Sequence, residues 1–181
     1  MSIRITGGTL GGRFIESPDG RATRPTSAIA RQALCNILVD QLDDCLLLDL
    51  FSGSGVISIE ALSRGARRAV MVDKGRPAVQ LIQRNLKSCN LTSQAEVLAL
   101  DVAKLAMGGG ERWGKFNLIY ADPPFTEEYP DLRPFLTWLA PAGVAVFEMP
   151  TRKMPAWANE ASDIRKYGES SLAFFFAPDN C

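Results

Sequence analysis

The most informative absence in this sequence of 181 residues is histidine, which does not occur at all. Histidine is the commonest general base near neutral pH and the commonest protein ligand for zinc and iron. Its absence excludes hydrolases that depend on a Ser-His-Asp triad and metal centres held by imidazole. We therefore expect no bound metal.

The sequence also lacks an excess of charge of either sign, since 20 Lys and Arg balance 20 Asp and Glu. A globally basic surface, which would attract nucleic acid over long distances, is therefore excluded. The charges are nevertheless uneven, because residues 1–36 carry five arginines against only Glu16 and Asp19. Any contact with nucleic acid is expected at this end of the chain.

Cysteines and long apolar runs are few. The four cysteines lie far apart and form no Cys-x-x-Cys pair, in a chain large enough to fold without disulfides. No segment approaches the roughly 20 apolar residues that span a bilayer, and the first residues lack the apolar run of a signal peptide. We expect a reducing, cytoplasmic location and no membrane partner.

What the sequence does contain, from residue 46 onward, is an alternation of strand-like and helix-like segments. Strands are predicted at 46–50, 69–73, 95–100, 117–121 and 143–149, with crossover helices at 56–63, 77–88 and 132–139. Such alternation predicts an α/β fold with a parallel sheet. The tail, 164–167 and 171–177, predicts an antiparallel hairpin, so we expect a mixed sheet of seven strands.

Residues 1–44 are predicted to form an N-terminal appendage to a main domain at 45–181. Two short β-type pieces, 3–6 and 13–16, are separated by glycines, and 27–39 has the apolar spacing of a helix. Four arginines of this appendage lie among glycines and prolines, which is typical of an arm that binds phosphates: Arg4, Arg13, Arg21 and Arg24. An ordinary solvated surface is the alternative for each of them.

A glycine turn follows the first strand of the main domain. Gly53 and Gly55 allow a sharp bend and a close approach of the backbone to a ligand, and the next helix points its free N–H groups at that ligand. The dinucleotide-binding fingerprint would have a third glycine where this chain has Ser58, so the NAD form of the motif is incomplete. The turn predicts a cofactor site, or a tight turn without a ligand.

Two aspartates follow the next two strands. The Asp73 carboxylate can accept hydrogen bonds from both ribose hydroxyls of a nucleoside cofactor, either NAD or S-adenosylmethionine. Asp101 can accept one from an adenine amino group, or it can cap the helix that begins after it. Glu148, near the end of the fifth strand, either lines a substrate pocket or forms a surface ion pair.

The segment Asp122-Pro123-Pro124-Phe125 ends the fourth strand, beside the first strand at the switch point of the sheet. Consecutive prolines remove two N–H donors, so the segment offers only acceptors and suits an amino group. Asp122 and the Pro123 carbonyl would orient a conjugated amine toward a methyl donor, with Phe125 stacked on the base. A rigid turn with a core Phe is the alternative.

Together, these motifs resemble the class I S-adenosylmethionine-dependent methyltransferases that carry an (Asp/Asn)-Pro-Pro-(Tyr/Phe) motif. Within that class they are similar to the RsmD family, which methylates a guanine N2 of bacterial small-subunit ribosomal RNA. The similarity extends over nearly the whole chain. It is carried by residues 4–8, 24–27, 31, 33–34, 36–38, 49–55, 60–66, 122–125 and 166–168.

The resemblance implies a Rossmann-like fold with S-adenosylmethionine as cofactor. Its cofactor residues would be Asp49, Phe51, Gly53, Ser54, Gly55, Asp73 and Asp101. The residues that hold the acceptor guanine would be Asp122, Pro123, Pro124 and Phe125. The RNA contacts would come from Arg4, Arg13, Arg24 and Arg31. The implied partner is small-subunit ribosomal RNA, free or in a partly assembled subunit.

The chain departs from the family after residue 27. The family continues with Asp-Arg-Val-Arg-Glu-Ala-Leu-Phe-Asn, whereas residues 28–36 read Ala-Ile-Ala-Arg-Gln-Ala-Leu-Cys-Asn. One basic and two acidic side chains are missing, which removes a candidate phosphate contact. Other hypotheses are transfer to adenine N6 or to a protein glutamine, a non-catalytic RNA-binding assembly factor, and an NAD-dependent oxidoreductase, which Ser58 disfavours.

Overall fold

The computed structural model of the chain describes residues 2–18, 28–108, 110–124 and 128–178, without the side chains of 28–30 and 111. The predicted site residues Arg24 and Phe125 lie outside the described residues. In the described part, the strands are β1 (Ser2–Arg4), β2 (Phe14–Glu16), β3 (Leu46–Leu50), β4 (Arg68–Asp73), β5 (Ala95–Ala99), β6 (Phe116–Ala121), β7 (Leu139–Pro150), β8 (Asp163–Tyr167) and β9 (Ser170–Phe176). The α-helices are α1 (Ala28–Ile37), α2 (Val39–Leu42), α3 (Val56–Ser63), α4 (Arg76–Ser88) and α5 (Val102–Ala106).

The main sheet has seven strands in the order β5-β4-β3-β6-β7-β9-β8. Strands β3 to β7 are parallel, and β9 is antiparallel to both of its neighbours. The prediction of a mostly parallel seven-stranded sheet with an antiparallel hairpin at its end is confirmed. The order reverses between β3 and β6, where Leu50 pairs with Ala121. Ligands of open α/β sheets bind at this switch point, outside the carboxyl ends of the strands.

The sheet is covered on both faces, which explains why β3 is an uninterrupted apolar run apart from Asp49. Successive β3 residues point to opposite faces. Leu47 packs with residues of α1, α3 and α4, whereas Leu48 packs with α5 and with a 3-10 helix at Arg133–Trp138. Two apolar layers thus hold the carboxyl edge of the sheet rigidly in place.

Strands β1 and β2 form a separate antiparallel pair, which we call the N-terminal hairpin. Its Ile15, and Ile5 just after β1, are buried in the same apolar cluster as α3 and α4. The hairpin is therefore packed against the main sheet's helices rather than held away from them. The predicted hairpin is confirmed, and the predicted boundary between residues 44 and 45 remains a prediction.

The crossover after β6 differs from the prediction. The α-helix expected over 132–139 is instead the six-residue 3-10 helix Arg133–Trp138, and β7 begins at once with Leu139. So short a segment gains few α-helical hydrogen bonds, and ring packing of Trp138 against Phe135 and Phe116 holds it in place. No helix in the described ranges is long and apolar enough to cross a membrane.

Candidate active site

The glycine turn, residues 51–55, connects β3 to α3 at the switch point. Three of its residues have left-handed backbone conformations: Phe51 with φ +62°, Gly53 with φ +56° and Gly55 with φ +78°. A Cβ at Gly55 would lie 2.6 Å from the Met71 side chain, so this position is also sterically restricted. Phe51 adopts a conformation that glycine would adopt without strain. Three left-handed residues thus lie within five positions of the predicted cofactor site.

Hydrogen bonds fix the path of this turn. The Gly53 N–H donates to Asp73 Oδ2 at 3.0 Å, and the Gly55 N–H donates to the Ser52 carbonyl at 2.7 Å. The other oxygen of Asp73 accepts from the Gly75 N–H at 2.8 Å. Each carboxylate oxygen can accept a further hydrogen bond, and Asp73 is only half-buried. Asp73 thus shapes the turn and keeps acceptor capacity for a ligand's hydroxyl groups.

Asp49 lies behind the glycine turn rather than on its open side. It is fully buried, and the Ser58 hydroxyl donates to its Oδ2 at 2.6 Å. Burial raises the pKa of Asp49 to about 7, and the nearby Asp73 carboxylate raises it further, while the hydrogen bond from Ser58 lowers it. Ser58, which interrupts the dinucleotide fingerprint, therefore contributes the hydroxyl group that this buried acid needs.

Asp101 caps α5, the structural alternative that the sequence left open. Its Oδ1 accepts from the Ala103 N–H at 2.9 Å, and its Oδ2 lies 3.4 Å from Lys74 Nζ. The backbone hydrogen bond from Ala103 is the main reason that the pKa of Asp101 is lowered. A contact with adenine remains a prediction for this residue, in addition to the observed cap.

The segment Asp122-Pro123-Pro124, which offers hydrogen-bond acceptors and which we call the acceptor motif, lies directly beside the glycine turn. The Asp122 N–H donates to the carbonyl of Leu50, the last residue of β3, at 3.4 Å. Asp122 is half-buried, Pro123 is buried and Pro124 is exposed. The structure thus brings together the carboxyl ends of β3 and β6, with the strained turn on one side and the Asp-Pro-Pro acceptors on the other.

Three further residues at this corner were not singled out from the sequence as a group. Tyr120 donates its hydroxyl to Glu148 Oε2 at 3.0 Å, and Tyr129 donates to the Glu148 carbonyl at 2.8 Å. Burial raises the pKa of Tyr129, and the negative charges of Asp122 and Glu148 raise it further. Glu148 is buried, so the alternative of a surface ion pair is wrong. Only a long-range pairing of β6 with β7 could have revealed this group.

The candidate RNA arginines separate into two kinds. Arg4 and Arg13 are exposed on the N-terminal hairpin, next to Phe14, which is 62% exposed. Arg31, in contrast, is only 4% exposed and donates to the Arg4 carbonyl at 3.3 Å. Burial lowers its pKa, an effect that the nearby Glu60 opposes. So buried a side chain presents no surface to a phosphate, and we reassign Arg31 from RNA contact to support of the hairpin.

The sheet order, the glycine turn and the Asp-Pro-Pro acceptors together define a class I methyltransferase, a class that uses S-adenosylmethionine as methyl donor. A family model described as conserved hypothetical protein 95 matches residues 3–176. The chain belongs to this family, the RsmD methyltransferases. Among the described residues, no three His, Cys, Asp or Glu side chains are grouped so as to hold a metal ion.

Relatives and solved structures agree with this assignment. Ribosomal RNA small subunit methyltransferase D of Escherichia coli is 35% identical over 123 residues, 68% of this chain and 60% of that protein. The solved structure of an E. coli protein described as a methyltransferase, yhhF, superposes with a TM-score of 0.86 at 27% identity, covering 99% of this chain and all of the other. An RNA methyltransferase of Salinibacter ruber in complex with S-adenosylhomocysteine shares the fold, with 18% identity, a TM-score of 0.63 and coverage of 87% and 96%.

Proposed function

We propose that the protein transfers a methyl group from S-adenosylmethionine to the exocyclic N2 of a guanine in small-subunit ribosomal RNA. The observation that carries this proposal is the hydrogen bond between Asp122 and Leu50, which sets the acceptor motif against the end of the glycine turn. The name of a relative, ribosomal RNA small subunit methyltransferase D of Escherichia coli, supports the choice of RNA.

The residues of the glycine turn and the following strand suit the cofactor. Gly53 leaves space for a ligand close to the backbone, because a Cβ there would have only the Phe51 carbonyl oxygen, at 3.9 Å, within 4 Å. Asp73 has acceptor capacity for ribose hydroxyls. Asp101 lies one strand further along the same edge, where an adenine amino group would reach it. Asp49 and Phe51 shape the turn from behind, and Ser54 lies between its two glycines.

The cofactor supplies an electrophilic methyl group whose sulfonium charge is lost during transfer. A pocket without strongly solvating groups therefore favours the transition state over the ground state. The chain contributes no imidazole to this site, because the sequence has no histidine. The site's polar atoms are instead carboxylates, hydroxyls and backbone groups.

The Asp-Pro-Pro segment acts on the acceptor amine. The amine's lone pair is delocalised into the base, so the nitrogen becomes a better nucleophile when both of its hydrogens are held by acceptors. The Asp122 carboxylate and the Pro123 carbonyl are those acceptors, and they orient the nitrogen toward the methyl group. Asp122 then takes the proton that the methylated nitrogen loses. Phe125, from the same motif, would stack on the base.

The N-terminal hairpin would bind the RNA backbone. Arg4 and Arg13 are exposed on it, and Arg24 belongs to the same basic segment of the sequence. Two or three phosphate contacts give modest affinity that falls with added salt. A bacterial cytoplasmic location, where ribosomal subunits assemble, follows from this function.

The direct test is methyl transfer from labelled S-adenosylmethionine to small ribosomal subunits that lack the modification, in parallel with naked small-subunit RNA. Digestion and identification of the labelled nucleoside decide the acceptor atom. N2-methylguanosine at one site is the expected product, and comparison of the two substrates shows whether a partly assembled subunit is required. Labelled N6-methyladenosine, or label in a protein glutamine, would contradict the proposed acceptor and retain the chemistry.

A further inference from the structure

Asn85, on α4, is a buried side chain that bonds two functional regions at once. It is 1% exposed, and all of its bonds reach the backbone of distant segments. Its Nδ2 donates to the Ser54 carbonyl at 2.9 Å and to the Glu16 carbonyl at 3.0 Å. Its Oδ1 accepts from the Glu16 N–H at 2.8 Å. Both amide hydrogens and the amide oxygen are therefore used.

Packing alone does not explain an amide at this position. The neighbouring buried residues of α4 are the apolar Leu81, Ile82 and Leu86, which fill the space against the sheet. A buried amide costs free energy unless its polar atoms are bonded. Asn85 meets that requirement only because Glu16 and Ser54 both come within hydrogen-bonding distance of it. Its side chain therefore depends on the hairpin and the glycine turn being in place.

The bond to Ser54 holds a specific peptide group of the glycine turn. The Ser54 carbonyl and the Gly55 N–H belong to the same planar peptide unit. Asn85 binds the oxygen of this unit, and the Ser52 carbonyl binds its N–H at 2.7 Å. The orientation of the unit, from which α3 begins, is thus set from both ends. Loss of the Asn85 bond would free the oxygen end and leave a buried carbonyl without this donor.

Other contacts hold the hairpin without reaching the turn. Arg84 pairs with the Glu16 carboxylate at 3.0 Å in an exposed ion pair. The Thr6 N–H donates to the buried Glu60 at 2.7 Å, at the opposite side of the hairpin. Asn85 differs from both because it binds the backbone of Glu16 and of Ser54 together.

We propose that Asn85 is a positioning residue that couples the N-terminal hairpin to the glycine turn, so that RNA bound on the hairpin strengthens cofactor binding. The coupling with RNA rests on the proposed function. The effect of Asn85 on cofactor affinity does not. By linkage, the cofactor must strengthen RNA binding by the same factor.

The first experiment compares three variants in cofactor affinity without RNA. Asn85→Ala removes the bonds to both segments, Arg84→Ala removes only an exposed contact with Glu16, and Gln83→Ala changes an exposed neighbour on α4. Calorimetric titration with S-adenosylhomocysteine should show about a tenfold weaker Kd for Asn85→Ala, the effect of one buried carbonyl left without its donor. The two control variants should bind within about twofold of the wild type.

A second measurement separates positioning from a general loss of structure. The rate is measured at saturating RNA over a range of S-adenosylmethionine concentrations. Asn85→Ala should keep kcat within about threefold of the wild type, while its KM for S-adenosylmethionine rises about tenfold. A matching fall in kcat, with unchanged cofactor affinity, would overturn the proposal. Equal cofactor affinity in Asn85→Ala and wild type would overturn it as well.

The wild-type protein provides a test that needs no folded variant. The Kd for S-adenosylhomocysteine is measured with and without a fragment of small-subunit RNA at saturating concentration. The Kd for that RNA is then measured with and without saturating S-adenosylhomocysteine. Both ratios should be about fivefold or more and equal to each other. Ratios of one would overturn the coupling. A protein that binds no RNA would refute the proposed function instead, while the Asn85→Ala titration still decides the role of Asn85 at the turn.

Discussion

Burial changes the chemistry of Asp49. Its pKa is raised to about 7 by burial, so the folded protein binds a proton that the unfolded chain has already lost. Stability therefore falls as the pH rises from about 4 to 7, since the folded state holds more protons than the unfolded state in this interval. Above pH 7 the cost of burying the charge is fully present.

Asp49→Asn should remove this pH dependence, because the amide keeps the size of the side chain and carries no charge. Wild type should lose on the order of 2 kcal/mol of unfolding free energy more than the variant does when the pH is raised from 5 to 8. Urea unfolding at both pH values measures it. Asp163→Asn, at an exposed site on β8, is the control and should not alter the pH dependence. Identical pH profiles for Asp49→Asn and wild type would contradict the assigned pKa.

Asp122 allows a test of catalysis that is separate from binding. Asp122→Ala removes one of the two acceptors proposed for the amine, so methyl transfer should fall by about a hundredfold or more. Cofactor affinity should stay within about twofold, because the glycine turn follows β3 and is not part of the Asp-Pro-Pro segment after β6. Single-turnover transfer and calorimetry provide the two values. Asp131→Ala, an exposed acid paired with Arg133, is the matched control, and full activity in Asp122→Ala would contradict the mechanism.

Among the elements, the N-terminal hairpin depends on close backbone contact with α3. Gly8, just after β1, has φ +71°, and a Cβ there would lie 1.9 Å from the Ser63 carbonyl oxygen. The Ser63 hydroxyl donates to the Gly7 carbonyl at 2.7 Å and accepts from the Leu10 N–H at 2.9 Å. The loop of the hairpin is therefore held against the last turn of α3, where no side chain fits.

Gly8→Ala should displace this loop from α3. Gly168→Ala is a closely matched control, because Gly168 has φ +67° and nothing lies within 4 Å of its Cβ position. The control carries the cost of the left-handed backbone alone, roughly 1 kcal/mol. Gly8→Ala carries the clash as well, and its loss of unfolding free energy should be about 3 kcal/mol. Denaturant unfolding measures both, and equal losses would show that the hairpin loop is not closely packed.

For the whole molecule, the balance of charge limits how RNA can be held. With no net charge, long-range attraction is weak, and we expect RNA binding to depend on the exposed arginines of the hairpin. The double variant Arg4→Ala, Arg13→Ala should weaken RNA binding and lower the slope of log K against log salt by roughly 1.5. Filter binding over a range of salt concentrations measures the slope. Arg165→Ala, on the far edge strand β8, should leave it unchanged, and an unaltered slope in the double variant would remove the hairpin from the RNA surface.

Several elements of the fold could be predicted from local sequence alone. Strands β3, β4 and β6 appear as short apolar runs, and the turn after β3 appears as two glycines between a strand and a helix. The acceptor motif was also found this way, because prolines limit backbone geometry wherever they occur. The 3-10 helix after β6 was predicted wrongly, since packing of Trp138 on Phe116 outweighs the apolar spacing of that segment.

The sequence by itself thus determined the fold class and the places of the glycine turn and the Asp-Pro-Pro segment at strand ends, because periods of two and 3.6 residues and proline geometry act between near neighbours. Only the tertiary structure decided the burial and the hydrogen-bond partners of Arg31, Asn85 and Glu148. Each has a partner at least 27 residues away in the chain. Whether a polar side chain meets such a partner in the interior or faces solvent is settled only when the segments pack together, since burial and hydrogen bonding are set by the distant neighbours.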